Sequence, residues 1–460
     1  MTSASQWSAV APRSLRPTAS AVLVFACGIA APVILNVVGE MYGSELLLPV
    51  VALLLHFRPS GDRSLREPAF AVLLGAAMVT LAGYVMSDLV QGTRPDQFMR
   101  GWGRIGLIIS DFVAMAAIFG QDRRHLWWYV LGSGLGQIIA LRFVGHAPIT
   151  LWKFGYAEPV VMVSSAISAF LPPLAASAWI ALLGLFSMWM DFRSFAAICL
   201  AIAAFVWLRS GRHALASRRA AGTIRLALMA GVVAVVLSLT LSMTQGTSVD
   251  RRVHSDAGRQ AAIEVGLQAV LQSPFVGYGS WAENKDFLKK YIKRTNELRG
   301  GVESSNDGKE KFNPHSQILH AWFEGGILGT AFLVAMLVNF LALGRWLLTR
   351  RPADALTPLL AYFVLTAIWD LFMSPFSAPH RLGIAMGAAI VVISRMEQRL
   401  CQGRKGKATA PPPMRGAVRM PAPLGVRMKS TELRPAQRRI AWRNRTQAQP
   451  ALRVVMARSS

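Results

Sequence analysis

The chain has 460 residues, of which 53% are hydrophobic and only 16% are charged, and its mean hydropathy is +0.39. Soluble domains carry about 25% charged residues, so this composition excludes an ordinary soluble protein and indicates a membrane protein. The three cysteines form no Cys-x-x-Cys or Cys/His spacing, and neither a disulfide framework in an exposed loop nor a zinc site is expected.

Twelve apolar segments predict membrane-spanning helices, because each is long enough, or nearly so, to cross about 30 Å of hydrocarbon. The tandem Pro172-Pro173 divides one long apolar run into two helices, since proline ends a helix; a single kinked helix is the alternative. The fold class predicted is therefore an all-α polytopic membrane protein. The predicted spans lie near 20–38, 43–57, 68–86, 101–119, 127–141, 157–171, 174–190, 194–209, 224–243, 326–344, 354–372 and 380–397.

The distribution of basic residues predicts the orientation. With the N-terminus in the cytoplasm, the short inner segments hold 15 Lys/Arg and the short outer segments hold 6, as the positive-inside rule requires of short loops. The first apolar run lacks a clear cleavage site and is predicted to be a true span. The predicted organisation is a cytoplasmic N-terminus (1–19), nine helices (20–243), a large periplasmic loop (244–318), three helices (319–397) and a basic disordered cytoplasmic tail (398–460).

Much of the net charge of +25 lies in the C-terminal tail. Residues 401–460 contain 14 Lys/Arg and a single acid, Glu432, and they lack helical periodicity. The expected partner of this tail is the anionic lipid of the cytoplasmic leaflet. Nucleic-acid binding is not expected, because a basic tail next to a membrane helix usually serves topology.

Polar side chains on the outer side are the candidates for chemistry, and His315 is the first of them. It lies in Asn313-Pro-His315-Ser, just before the tenth predicted span, where an imidazole titrates near neutral pH and suits a general base. If this stretch is helical, His315, Leu319 and Phe323 share one face and His320 points elsewhere. The alternative is an interfacial histidine that caps a helix.

Two arginines are candidate anion ligands. Arg259 is predicted in the first turn of a helix capped by Ser255 or Asp256, where the helix dipole disfavours a cation unless a ligand supplies negative charge. Arg193 lies in a tight turn between two spans, where it could bind a phosphate through two hydrogen bonds. The alternatives are a solvated Arg259 and an Arg193 that snorkels to lipid phosphates.

Further charges fall within or beside the predicted spans. Arg104 and Asp111 are seven residues apart and therefore on one helix face, so they either pair with each other or face a cavity. The outer segments contain no Asp-x-Asp or acidic cluster, so no metal and no cofactor is expected. The remaining members of this set are Arg100, Lys153, Asp370 and His380.

The run His315-x-x-x-Leu319-x-x-x-x-Glu324-x-Gly326-x-x-Gly329 resembles the signature of the O-antigen ligase and polymerase superfamily. The motifs agree in order over about 190–330, although Ser316 replaces the frequent Asn and the arginine turn reads Phe-Arg-Ser. The supporting matches are Arg193-Ser194, Gly258-Arg259, Pro274-x-x-Gly277-x-Gly279, and Asp88 with Arg100-Gly-Trp.

The resemblance implies a bacterial inner-membrane glycosyltransferase that moves a glycan from undecaprenyl pyrophosphate to a sugar hydroxyl of lipid A-core. His315 would take the hydroxyl proton, and Arg193 and Arg259 would neutralise the departing pyrophosphate. Arg100, Lys153 and Glu324 complete the expected substrate-binding set. A polymerase that joins glycan repeat units is the close alternative, and a member that attaches glycan to protein is a third. A transporter or flippase is less favoured, because half-repeats and discontinuous helices are not evident.

Overall fold

The computed structural model is mainly helical. Of the residues that the structure describes, 84% are in helices and 2% in strands, so the predicted helical class is confirmed in its main feature. The predicted ninth span at 224–243 lies outside the described residues, as does the tail beyond 408. The described residues are 18–36, 39–56, 63–142, 151–210, 249–281, 285–300, 312–349, 356–377 and 380–408.

Six α-helices form the N-terminal part of the bundle. Proline in the first turn starts α3 and α4, where its missing N–H removes no helical hydrogen bond, and Gly92 in the left-handed conformation ends α3. These helices are α1 (Ala19–Ile29), α2 (Gly43–His56), α3 (Pro68–Gln91), α4 (Pro95–Gln121), α5 (Arg124–Leu141) and α6 (Ala157–Ile167).

Eight further α-helices follow. A 3₁₀ turn and Pro172 separate α6 from α7, so the chain breaks at the tandem prolines as predicted. The helices are α7 (Pro173–Trp189), α8 (Arg193–Ser210), α9 (Val249–Gln272), α10 (Lys285–Leu298), α11 (Gln317–Gly329), α12 (Ala331–Thr349), α13 (Thr357–Met373) and α14 (His380–Ala408).

Three predicted boundaries differ from the structure. The first span, predicted to reach residue 38, ends at Ile29, because Pro32 stops the helix and an antiparallel hairpin follows, with strands β1 (Ile34–Asn36) and β2 (Glu40–Tyr42). The tenth span begins at Ala331 rather than 326, because Gly326 has non-helical dihedral angles and kinks the chain. Helix α14 continues to Ala408, past residue 398 where the tail was predicted to begin.

Among the described residues, three helices are long and apolar enough to cross a membrane: α3, α4 and α12. Four shorter apolar helices, α1, α2, α7 and α13, accompany them. Small residues allow close packing: a Cβ on Gly28 of α1 would lie 2.4 Å from the Tyr129 carbonyl oxygen of α5. The bundle core is filled by large side chains such as Phe112 and Phe340, both fully buried.

Helix ends meet in two separate groups. At one end, here termed the Glu67 end, Gln121 Nε2 donates to the Leu55 carbonyl at 3.0 Å, Arg123 pairs with Glu397 at 3.4 Å, and Arg399 pairs with Glu67 at 3.0 Å. The other end, termed the Glu324 end, gathers the end of α3, the start of α4, helix α11 and the residues between α13 and α14. This second group holds most of the candidate site residues.

Candidate active site

The carboxylate of Glu324 is the centre of a buried polar network at the Glu324 end. It is 2% exposed, and one oxygen, Oε2, accepts hydrogen bonds from Arg104 Nη2 and, at 3.1 Å, from the Tyr84 hydroxyl. The other oxygen, Oε1, accepts from the Trp281 backbone N–H at 3.0 Å and lies 3.1 Å from His320 Nε2. Four elements are therefore tied to one side chain: α3, α4, α11 and the turn that precedes α10.

Arg104 is buried to the same degree as Glu324. Its Nη1 donates to the Phe376 carbonyl at 3.0 Å, and its guanidinium carbon lies 4.4 Å from the Phe376 ring centroid and 5.3 Å from that of Trp281. Burying a guanidinium is costly unless a carboxylate and well-placed acceptors compensate it. The network compensates Arg104 in this way, so its charge stabilises the junction between the spans and the loop.

The glycine-rich turn Ser273–Trp281 docks against α11. Gly277 and Gly279 have φ angles of 79° and 86°, which favour glycine, and a Cβ on Gly277 would lie 2.6 Å from the Gly326 nitrogen. Pro274 accepts hydrogen bonds through its carbonyl from Ile327 N at 3.0 Å and Trp322 Nε1 at 2.8 Å. The motif resembling Pro-x-x-Gly-x-Gly therefore allows the backbone of this turn to pack directly against the backbone of α11.

Asp88 fixes the same turn from the α3 side. Its buried carboxylate accepts from Ser280 N at 2.5 Å, Ser280 Oγ at 2.6 Å and Trp102 Nε1 at 2.7 Å. The preceding residue, Ser87, donates through Oγ to the Glu324 carbonyl and accepts from Gly279 N. The Asp88 and Gly-Trp features noted in the sequence thus hold the loop rather than contact solvent.

A second, smaller core joins α9, α10 and α11 outside the main bundle. Phe323 of α11 packs against Phe287 of α10 at a centroid distance of 5.8 Å and against Phe312 at 5.6 Å. Glu264 of α9 and Arg294 of α10 add a half-buried ion pair at 2.6 Å, and the hydrogen bond from Arg294 holds the pKa of Glu264 below its usual value. These contacts connect the loop helices to α11, which bears Glu324.

His315 precedes α11 rather than lying within it. The helix begins at Gln317 with Ser316 as its N-cap: Ser316 Oγ accepts from Leu319 N at 3.3 Å and donates to the Leu371 carbonyl of α13 at 3.0 Å. The condition under which His315 would share a helix face with Leu319 and Phe323 is therefore not met. His315 is half-buried, and its neighbours contact two other helices: Pro314 lies against Gly266 of α9, and Ser316 bonds to α13.

Arg259 lies in the third turn of α9, and the prediction of a first-turn cation is wrong. The helix starts at Val249, so Ser255 and Asp256 are helical residues and do not cap it. Arg259 is exposed and is seven residues from Gly266, which places both on one side of α9 about 10 Å apart along the axis. The side chain therefore extends from the helix side that contacts the segment carrying His315.

The other predicted ligands occupy different positions at this end. Arg193 begins α8 and forms an ion pair with Asp191 at 3.3 Å, where Asp191 has a positive φ of 55° in the turn. Arg100 is exposed on α4, and its Cγ lies beside Gly39 in the turn of the hairpin. Lys153 is half-buried in a π-helical turn (Trp152–Tyr156) and lies 5.6 Å from the Phe154 ring centroid.

The structure bears on two of the expectations about buried charges. Glu324 directs its carboxylate at protein groups and is 2% exposed, which argues against the direct substrate contact that the resemblance implied. Arg104 pairs with Glu324 rather than with Asp111, whose two carboxylate oxygens are buried and have no hydrogen-bond partner among the described residues. Among those residues, no group of three or more His, Cys, Asp or Glu is placed to hold a metal ion.

Sequence reasoning missed Tyr84, Ser87 and Gln91 as members of this site. Together with Asp88 they occupy positions i, i+3, i+4 and i+7 of an otherwise apolar helix, which is a polar stripe on one face. A polar stripe in a membrane helix faces the protein interior, so the spacing was the available signal. Asp370 is also close to the segment that carries His315, because the carbonyl of its neighbour Leu371 accepts a hydrogen bond from Ser316.

These features define a helical membrane protein whose polar network lies at one end of the bundle, where loop helices dock on the spans. A comparison with protein families matches residues 175–334 to the family described as O-antigen ligase. This segment, about a third of the chain, is thus similar to O-antigen ligases. No curated protein matches the chain.

Proposed function

We propose that this protein is a glycosyltransferase that moves a glycan from undecaprenyl pyrophosphate to a sugar hydroxyl of lipid A-core. The reaction would take place at the periplasmic face of the bacterial inner membrane, with the Glu324 end of the bundle facing the periplasm. The family match carries the proposal, because it covers Arg193, Arg259 and His315 together with the docked turn. A polymerase that joins repeat units remains the second candidate, since the same residues would serve another glycan acceptor.

The chemistry assigned to His315 is removal of the acceptor hydroxyl proton. The hydroxyl oxygen then forms a bond to the anomeric carbon while the bond from that carbon to the pyrophosphate oxygen breaks, and the electron pair leaves with the pyrophosphate. The proton passes to the imidazole. A single displacement of this kind inverts the anomeric configuration, and retention in donor and product NMR spectra would contradict it.

Arg193 and Arg259 are proposed to stabilise the negative charge that gathers on the departing pyrophosphate. Arg259 is exposed, so an anion can reach its guanidinium group, and Arg193 lies in the turn beside Asp191, with which it pairs at 3.3 Å. Arg100 and Lys153 are proposed to bind more distant parts of the donor. Glu324 is proposed to position α11, and through it the adjoining His315, rather than to contact substrate.

The test is transfer by the purified full chain, using a labelled lipid-linked glycan donor and either lipid A-core or a second lipid-linked repeat unit as acceptor. Product on lipid A-core identifies a ligase, and elongated lipid-linked glycan identifies a polymerase. Transfer to neither acceptor would refute the proposal. His315→Ala should abolish transfer with normal expression and folding, whereas His56→Ala, an exposed histidine at the Glu67 end, should leave it unchanged.

A further inference from the structure

A polar cavity of about 350 Å³ lies at the Glu67 end, far along the bundle from the candidate active site. The start of α3, the middle of α12 and the middle of α14 form its wall. Arg395 and Gln398 of α14 face Asn339 of α12, while Glu67 is the N-cap of α3 and Val72 lies in its second turn. None of these residues takes part in the Glu324 network.

The charges around this cavity do not balance. Glu67 is 7% exposed and pairs with Arg399 at 3.0 Å, so those two charges cancel. Arg395 meets only neutral acceptors, Gln398 Oε1 at 3.2 Å and Asn339 Oδ1 at 3.3 Å, and has no carboxylate partner among the described residues. One positive charge is therefore uncompensated in a half-buried position, which is unfavourable without an anion.

A hydrogen-bond donor is also unmatched. The Nε2 of Gln398 is buried and has no partner among the described residues. An anionic oxygen placed between this amide and Arg395 would accept from both groups, and guanidinium groups favour phosphate oxygens. The net charge of +1 contributed by Glu67, Arg399 and Arg395 matches the single negative charge of a phosphodiester.

The surroundings favour an amphiphilic occupant. Val72, which lines the cavity, is 60% exposed, and Val338 next to Asn339 is 61% exposed. Both lie on helices long and apolar enough to span a membrane, so these side chains face lipid tails. A headgroup in the cavity would thus have its acyl chains beside α3 and α12. Basic pockets between membrane helices bind anionic headgroups in this manner.

We propose that this cavity binds the phosphodiester headgroup of an anionic phospholipid from the cytoplasmic leaflet. Arg395 supplies the charge and Gln398 the second donor. The site is separate from the glycosyltransferase chemistry and does not depend on it.

The experiment measures thermal unfolding of the purified full chain in detergent with added dioctanoyl phosphatidylglycerol, dioctanoyl phosphatidylcholine or inorganic phosphate. Phosphatidylglycerol should raise the Tm saturably, and the other two should not. Arg395→Gln should weaken the apparent Kd for phosphatidylglycerol about tenfold or more. Gln398→Glu, which places a negative charge in the cavity, should abolish the response.

The matched control is Arg123→Gln, which removes one positive charge at the same end but outside the cavity. It should respond to phosphatidylglycerol as the wild type does. All variants keep the basic tail, so any tail contribution cancels. An equal response to phosphatidylcholine, an equal response to inorganic phosphate, or an undiminished response in both cavity variants would overturn the lipid site. The wild-type comparisons decide the matter even if a variant fails to fold.

Discussion

Neutralising Glu324 should strongly destabilise the protein. Glu324→Gln keeps the side-chain volume but removes the negative charge that compensates Arg104, and both residues are only 2% exposed. Leaving one member of a buried ion pair without its partner costs about 3–5 kcal/mol. The amide adds a second penalty, because its NH₂ group must face N–H donors of either Arg104 or Trp281, and an unsatisfied buried donor costs about 1–3 kcal/mol.

The assay is equilibrium unfolding of the purified chain in mixed micelles, followed by circular dichroism. A double-mutant cycle with Arg104→Gln isolates the pair, since the doubly neutral variant leaves no uncompensated charge and should recover at least about 2 kcal/mol relative to the sum of the single losses. The matched control is Asp96→Asn, whose ion pair with Arg94 is exposed and should contribute less than about 1 kcal/mol. A Glu324→Gln loss no larger than that of the control would refute the reasoning.

Three further substitutions are expected to affect the stability of the protein in different ways. Gly326→Ala should lower the unfolding midpoint, because its Cβ would lie 2.1 Å from the Phe275 carbonyl oxygen at a φ of 63°, whereas Gly75→Ala, with nothing within 4 Å, should not. Asp111→Asn should leave the unfolding free energy unchanged or increase it, since the buried carboxylate has no hydrogen-bond partner; a loss above about 2 kcal/mol would contradict this. The lowered pKa of Glu264 means that its pair with Arg294 stabilises the loop above the unfolded pKa of about 4.3. That contribution is lost as the pH falls through the lower folded pKa, so hydrogen exchange in α10 should rise in acid, and Glu264→Gln should flatten this dependence.

The sequence predicted the helical class and the break at Pro172-Pro173, because apolar length and proline act locally. It misplaced the end of α1 because the apolar run continued past Pro32 and outweighed the proline signal. It misplaced the start of α9 because the polar segment Val249–His254 shows no apolar periodicity, although its backbone is helical.

For the site, local motifs identified His315, Arg259, Arg193 and the glycine turn. They did not identify the contacts that position these residues. Arg104 and Glu324 are 220 residues apart, and a periodic pattern reports only which face of a helix a residue occupies. The sequence could therefore name only a local partner for Arg104, namely Asp111, beside the alternative of a cavity. Pairing across the chain is settled by how the loop helices pack on the spans, which no single-segment pattern encodes.

The short first helix has a consequence for the surrounding bilayer. Its 11 residues rise about 16 Å, roughly half of a typical hydrocarbon thickness of about 30 Å. Strand β1 continues this flank with the exposed side chains of Ile34 and Leu35, but a two-stranded ribbon leaves part of its main chain without internal hydrogen bonds. Water and headgroups must reach those groups, so the membrane is expected to dip on this side, and such mismatch favours residence in thinner regions of bilayer.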